Sequence, residues 1–157
     1  KNNIFIAGGN EQDAKNLLGD MKINLSIDYI GKLKPNLISN YLKDARLTII
    51  PSREEPFGIF LAEALCCGSP IVVTNVGGIP EVISIAKANL NNEQKQIFDS
   101  FIKVVHPEIK LISKSIKLIL ENGRVSDGFM KLIPIIRKNF EWNHRLNYLH
   151  KLISSII

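Results

Sequence analysis

PSREEPFGIFLAEALCCGSPIVVTNVGGIPEV, residues 51–82, changes its pattern three times, and each change marks a structural boundary. Just upstream, Leu47-Thr48-Ile49-Ile50 is a short apolar, β-branched run of the kind that forms a buried parallel strand. Pro51 and Ser52 end that strand, and Pro56 and Gly58 are turn residues. From Ile59 the apolar positions Ile59, Ala62, Leu65 and Cys66 fall at helical spacing. Gly68 predicts a left-handed helix cap, and Pro70-Ile71-Val72-Val73 begins the next strand. The result is a strand–loop–helix–strand unit with its polar residues gathered at the helix N-terminus. In an open parallel sheet, ligands bind at that end of the strands.

The residue types there define a chemistry. The unpaired N–H groups and partial positive charge of a helix N-terminus suit a phosphate. Gly58 has no Cβ to keep such a group away from the backbone. Glu63, about a turn and a half into the helix, can accept both hydroxyls of a vicinal diol such as a ribose. Glu55, just before the helix, can face hydroxyls on whatever the phosphate carries. A nucleotide sugar combines diol, diphosphate and polyhydroxyl ring. Each glutamate also has a plainer reading. Glu55 could be a first-turn acid favoured by the helix dipole, and Glu63 a surface acid. Against the second, Glu63 is the only polar residue between Ile59 and Cys67. A helix apolar all round is usually buried, and a buried carboxylate needs a partner.

The segment resembles the donor-binding signature of retaining glycosyltransferases of the GT-B fold, family four, the group 1 glycosyl transferases. That signature has two Glu separated by seven residues, preceded by Pro-Ser and followed by Gly-x-Pro, a strand and Gly-Gly-x-x-Glu. Its elements here are Pro51-Ser52, Glu55, Phe57-Gly58, Glu63-Ala64, Gly68, Pro70, Gly77-Gly78 and Glu81. The glutamate spacing alone would mean little, whereas all the elements in order are specific. Asn3–Gly9 is similar to the family's strand ending in a glycine turn. Ile27–Gly31 is similar to the strand whose final Gly lies beside the nucleobase, and 35–46 to the short helix before the signature strand. Phe140-Glu141-Trp142 resembles the aromatic pair that opens the last helix.

Two departures qualify the likeness. Family members begin this domain with one more strand and helix, which carry an Arg and a Lys that clamp the diphosphate; the chain starts at what resembles the second strand. With the N-terminal acceptor domain also missing, it reads as a piece of a larger enzyme, nearly inactive alone. Between Glu81 and His106, where the family has a compact loop, the polar stretch Ala88–Gln96 is expected to be a surface excursion without a catalytic part.

Length and composition fit one domain, 1–157, with a sizeable core. The hydrophobic fraction of 45% and charged fraction of 22% are ordinary for a globular protein. Cys66 and Cys67, adjacent within a helix, would strain a mutual disulfide and read as small hydrophobes in a reducing compartment. The net charge of +5 is spread over polar helix faces, without an aromatic-plus-basic repeat, zinc pattern or helix-turn-helix, so nucleic acid is not an expected partner. The three histidines, His106, His144 and His150, lie far from the signature in sequence and read as structural or solvated.

Strands are predicted at 3–7, 26–30, 47–50, 70–74 and 101–105, and helices at 11–19, 35–44, 58–67, 79–86, 107–121, 124–138 and 141–155. Such alternation predicts an α/β, Rossmann-like parallel sheet with helices on both faces. By resemblance this is the C-terminal half of a GT-B fold with a helical tail, in which Trp142, Leu146 and Leu149 line the apolar face of the last helix.

What the resemblance implies is a retaining hexosyltransferase domain that takes a nucleoside diphosphate sugar, UDP-, GDP- or ADP-linked, to a hydroxyl of a saccharide or lipid-linked acceptor. Glu55 is the catalytic candidate, orienting the sugar and stabilising charge at its anomeric carbon, with internal return the usual inference for such enzymes. Glu63 would hold the ribose, and N–H groups around Phe57, Gly58 and Ile59 the distal phosphate and sugar. Gly31, Lys32 and Leu33 would wall the nucleobase. No cofactor and no metal are implied, there being no Asp-x-Asp pair. The remaining implied partners are the protein's own N-terminal domain and a peripheral contact at the inner face of the membrane, in a cytoplasmic setting. The alternative is a non-catalytic Rossmann-like module that binds nucleotide weakly or serves assembly.

Overall fold

Four side chains in a row, Ile71 to Thr74, are fully buried, although neighbouring side chains on a strand point to opposite faces. In the computed structural model, which describes residues 3–8, 12, 16, 26–123, 125–141 and 154, this strand is the centre of a three-stranded parallel sheet. The chain divides into two units, 1–40 and 41–157.

In the first unit, β1 (Asn3–Ala7) pairs in parallel with β2 (Ser26–Gly31), with an irregularity between Ile6 and Ala7. The carboxyl ends of the two strands are tied together. The Gly8 N–H donates 2.9 Å to the Gly31 carbonyl, and the Tyr29 hydroxyl donates 3.0 Å to the Gly8 carbonyl. Helix α1 (Pro35–Asp44) follows, and its last turn falls in the second unit, where Leu42 is buried.

The second unit has the strand order β3 (Thr48–Ile50), β4 (Ile71–Thr74), β5 (Ile102–Val105), all parallel. Thr48 lies opposite Ile71, and Ile71 opposite Ile102. Helix α2 (Ile59–Cys67) links β3 to β4; α3 (Ile79–Lys87) and α4 (Asn92–Phe101) link β4 to β5. After β5 come α5 (Ile109–Glu121), α6 (Asp127–Met130) and α7 (Ile133–Phe140). Helices α2 and α5 both pack on β4, and α7 packs on α2 and α3. The continuous burial along β4 shows that both of its faces are covered, as the apolar run predicts. Phe98, Phe129, Leu61, Leu65 and Ile136 fill the core, each worth about 1.5–3 kcal/mol of apolar burial. Phe101 meets Phe129 at a centroid distance of 4.9 Å.

Local signals place most boundaries. Gly68 adopts φ 79° at the end of α2, its N–H donating to Leu65 and that of Ser69 to Ala64, the paired bonds of a Schellman cap. Two predicted elements differ. The stretch expected as a surface excursion contains the start of α4: Asn91 and Gln94 form a reciprocal capping box, and Phe98 and Phe101 anchor the helix in the core. The single helix predicted over 124–138 is two. Ser126 caps α6, and Pro134, which has no N–H to continue a preceding helix, sits in the first turn of α7. The predicted helices 11–19 and 141–155, with Trp142, Leu146, Leu149, His144 and His150, lie outside the described residues apart from Gln12, Asn16, Glu141 and Ser154.

Candidate functional site

The loops leaving β3 and β4 at their carboxyl ends lock into each other. Thr74, the last residue of β4, is fully buried, with its hydroxyl 2.5 Å from the Ser52 carbonyl oxygen and 3.3 Å from that of Ile50. This fixes the exit of β3. Farther out, the Gly78 N–H donates 2.7 Å to the Glu55 carbonyl. A Cβ on Gly77, whose φ is 52°, would overlap that same carbonyl oxygen. One on Gly78 would stand 2.6 Å from the Pro56 carbonyl oxygen and 3.1 Å from the Phe57 Cα. The glycine pair therefore does more than turn the chain from strand to helix. It lets the backbone of one loop lie against the backbone of the other.

Glu55 is half-buried in this junction, and its carboxylate accepts a 3.0 Å bond from the Gly58 N–H. One carboxylate oxygen is thus held, and the other has no hydrogen bond among the described residues. Gly58 itself is buried with φ 67°. Sequence alone assigns its missing Cβ to the approach of a phosphate. In the structure that space belongs to α3, because Val82 Cγ2 and Ile79 Cδ1 stand 3.0 and 3.3 Å from where a Cβ would be. Gly58 is required by its left-handed backbone and by packing, and its N–H is taken by Glu55.

No side chain caps α2, and the Ala62 N–H, on the Gly58 carbonyl at 3.1 Å, is the first along the helix to find a backbone acceptor. The N–H groups of Ile59, Phe60 and Leu61 belong to the orphan set of any helix start; Ile59 and Phe60 are exposed, whereas Leu61 is fully buried. Phe57 and Ile59 flank this turn, 75% and 65% exposed, so two large apolar side chains frame its mouth.

Glu63 lies one turn farther along α2. It is half-buried rather than fully buried, and among the described residues its carboxylate has neither a hydrogen bond nor an ion pair. Next along the helix, burial pushes the Cys66 and Cys67 thiols above the ordinary 9.0, while Arg137 and, for Cys67, Lys43 pull them down. The Arg137 guanidinium also donates 2.7 Å to the Cys66 carbonyl, closing the C-terminal end of α2.

Of the residues singled out in the sequence, Glu55, Phe57, Gly58, Ile59 and Glu63 come together in the second unit, on one loop and the helix it opens into. Gly31, Lys32 and Leu33 are in the first unit, where they leave β2 at its carboxyl end with Gly31 at φ 65°, Lys32 exposed and Leu33 half-buried. Thr74 is the site-forming residue that sequence did not single out; a polar residue closing the apolar run Ile71–Val73 was its signal. Among the described residues, no helix is long and apolar enough to cross a membrane.

Comparison with known proteins bears on the family and the fold. The chain is 27% identical over 152 residues to a D-inositol 3-phosphate glycosyltransferase of Corynebacterium jeikeium, a match covering 96% of this chain and 33% of that protein. It is 34% identical over 84 residues to an uncharacterized glycosyltransferase of Methanocaldococcus jannaschii, covering 51% and 21% respectively. The chain thus spans a third or less of these relatives. In fold it is similar to sucrose-phosphate synthase from Thermosynechococcus elongatus, with a TM-score of 0.71 at 17% identity over 98% of this chain and 39% of that one. Residues 1–129, which include the whole interlocked site, match the family described as glycosyl transferases group 1, and the chain belongs to that family.

Proposed function

We propose that this chain is the nucleotide-sugar-binding domain of a retaining hexosyltransferase. Glu63 takes the ribose diol of the donor, and the first N–H groups of α2 take the distal phosphate. Glu55, one carboxylate oxygen held by Gly58, uses the other to orient the transferred sugar and to stabilise charge at its anomeric carbon. Phe57 and Ile59 border the sugar. The acceptor is a hydroxyl of a saccharide or lipid-linked molecule, brought by a further domain of the same protein. A cytoplasmic setting, peripheral to the inner face of the membrane, completes the proposal.

The observation that carries the reading is Glu63: a half-buried carboxylate on an otherwise apolar helix, without a partner among the described residues. Such a group gains a charge-assisted bond when a diol arrives and gives up no internal contact to do so. Calorimetric titration with UDP, GDP, ADP and their sugar conjugates tests it, on this chain and on the protein at its natural length, with Glu63→Ala beside each. Saturable binding of one base, weakened about tenfold or more by the substitution, is the expected result. Absence of binding by the natural-length protein would overturn the reading in favour of a non-catalytic module.

A further inference from the structure

We infer that the Gly77-Gly78 turn is a positioning element for the sugar-facing carboxylate, acting through the backbone of Glu55. The inference rests on the donor reading above and adds a residue pair that touches no part of the donor. Glu55 sits on a loop rather than on a helix or strand, and a loop side chain is only as well placed as its backbone. Three contacts fix that backbone, and all come from the β4–α3 connection. The Gly78 N–H holds the Glu55 carbonyl at 2.7 Å. Gly77 leaves no gap above the same carbonyl, and Gly78 lies against Pro56 and Phe57. One turn on, Val82 and Ile79 back Gly58, whose N–H orients the Glu55 carboxylate. Main chain and side chain of Glu55 are therefore both set by the neighbouring loop and the first turn of the helix it opens into. Thr74 ties the root of the two loops together, so the junction is anchored at its base as well.

The glycines differ in a way that makes the idea testable. Gly77 needs its left-handed φ of 52°, whereas Gly78 has φ −77° and ψ −6°, a backbone any residue adopts. A methyl on Gly78 thus disturbs the loop contact without backbone strain. Gly123, at φ 81° with nothing within 4 Å of its absent Cβ, is the converse: an alanine there is strained and touches nothing.

The experiment compares wild type, Gly78→Ala, Gly123→Ala and Glu55→Gln in the protein at its natural length. It reads the ratio of the dissociation constants of the free nucleoside diphosphate and its sugar conjugate, using whichever of UDP, GDP or ADP binds. The ratio isolates the sugar's share of binding, which a merely structural role would leave alone. Gly78→Ala is expected to bring the ratio down about tenfold, the worth of one good charge-assisted hydrogen bond, to the level of Glu55→Gln. Gly123→Ala is expected to lower the melting temperature and keep the ratio. If Gly78→Ala does not fold, Val82→Ala, which removes methyl groups backing Gly58, is read in the same way. A Gly78→Ala protein that melts earlier yet keeps the wild-type ratio, while Glu55→Gln loses it, overturns the inference alone. A Glu55→Gln protein that keeps the ratio, or a wild type that shows no preference for the conjugate, overturns the donor role of Glu55 and the inference with it.

Discussion

The hydroxyl of Thr74 lies 2.5 Å from the carbonyl oxygen of Ser52, at a position with no solvent access. It joins the last residue of the central strand to the loop that carries Glu55, 22 residues earlier in the chain. Thr74→Val keeps the shape and removes the donor, leaving a carbonyl short of a partner. The expected loss is about 1–3 kcal/mol of unfolding free energy, read as a shift of the urea midpoint at unchanged slope. Thr74→Ser, which keeps the hydroxyl and gives up one methyl, should lose less; equal losses would mean the hydroxyl contributes nothing.

Glu63 should behave in the opposite way. With no internal bond to break, Glu63→Ala is expected to leave stability within about 0.5 kcal/mol of wild type, as surface substitutions do. Chemical denaturation checks this independently of any ligand. A large destabilisation would mean that the carboxylate has an internal structural duty.

The capping box of α4 gives a third test. Asn91 accepts from the Gln94 N–H at 2.9 Å, and the Gln94 side chain accepts from the Asn91 N–H at 2.9 Å. Asn91→Ala should cost about 1 kcal/mol, and amide exchange should quicken first at residues 92–95, at the start of the helix. Uniform quickening across the whole second unit would argue against a local cap.

The two thiols predict a pH dependence. Burial raises both above the ordinary 9.0, so the folded chain keeps these protons at pH values where the unfolded chain begins to lose them. Their contribution to stability is present below pH 9.0 and is lost as pH climbs through the folded-state values. At neutral pH the thiolate fraction is below that of a free thiol, so iodoacetamide should label the folded protein slowly and the urea-unfolded protein faster. Mass spectrometry resolves the two sites. Labelling of folded Cys66 at the rate of an unhindered thiol would contradict the burial.

Much of the architecture is legible because its signals are local. Strand β1 and helix α1 fall on their predicted residues, and the Gly68 cap follows from a glycine after an apolar helical run. Helix α4 was also signalled, by Asn91 and Gln94 at capping-box spacing, but its polar first turn hides the buried face formed by Phe98 and Phe101. The break between α6 and α7 had its signals too, in Ser126 and Pro134. In each case the apolar period misleads where the cap residues do not.

By itself, the sequence determined the alternation of strands and helices, the left-handed cap of α2, the gathering of Glu55, Phe57, Gly58 and Glu63 at one helix start, and the resemblance those residues carry. These depend on hydrophobic period and turn chemistry, which act over a few residues. Only the tertiary structure decided that Glu63 is half-buried and lacks an internal partner, that Val82 fills the space beside Gly58, and that Gly77 and Gly78 hold the backbone of Glu55. Those contacts join residues some two dozen positions apart, and they exist because β3 and β4 lie side by side in parallel, which brings their outgoing loops together at one end of the sheet.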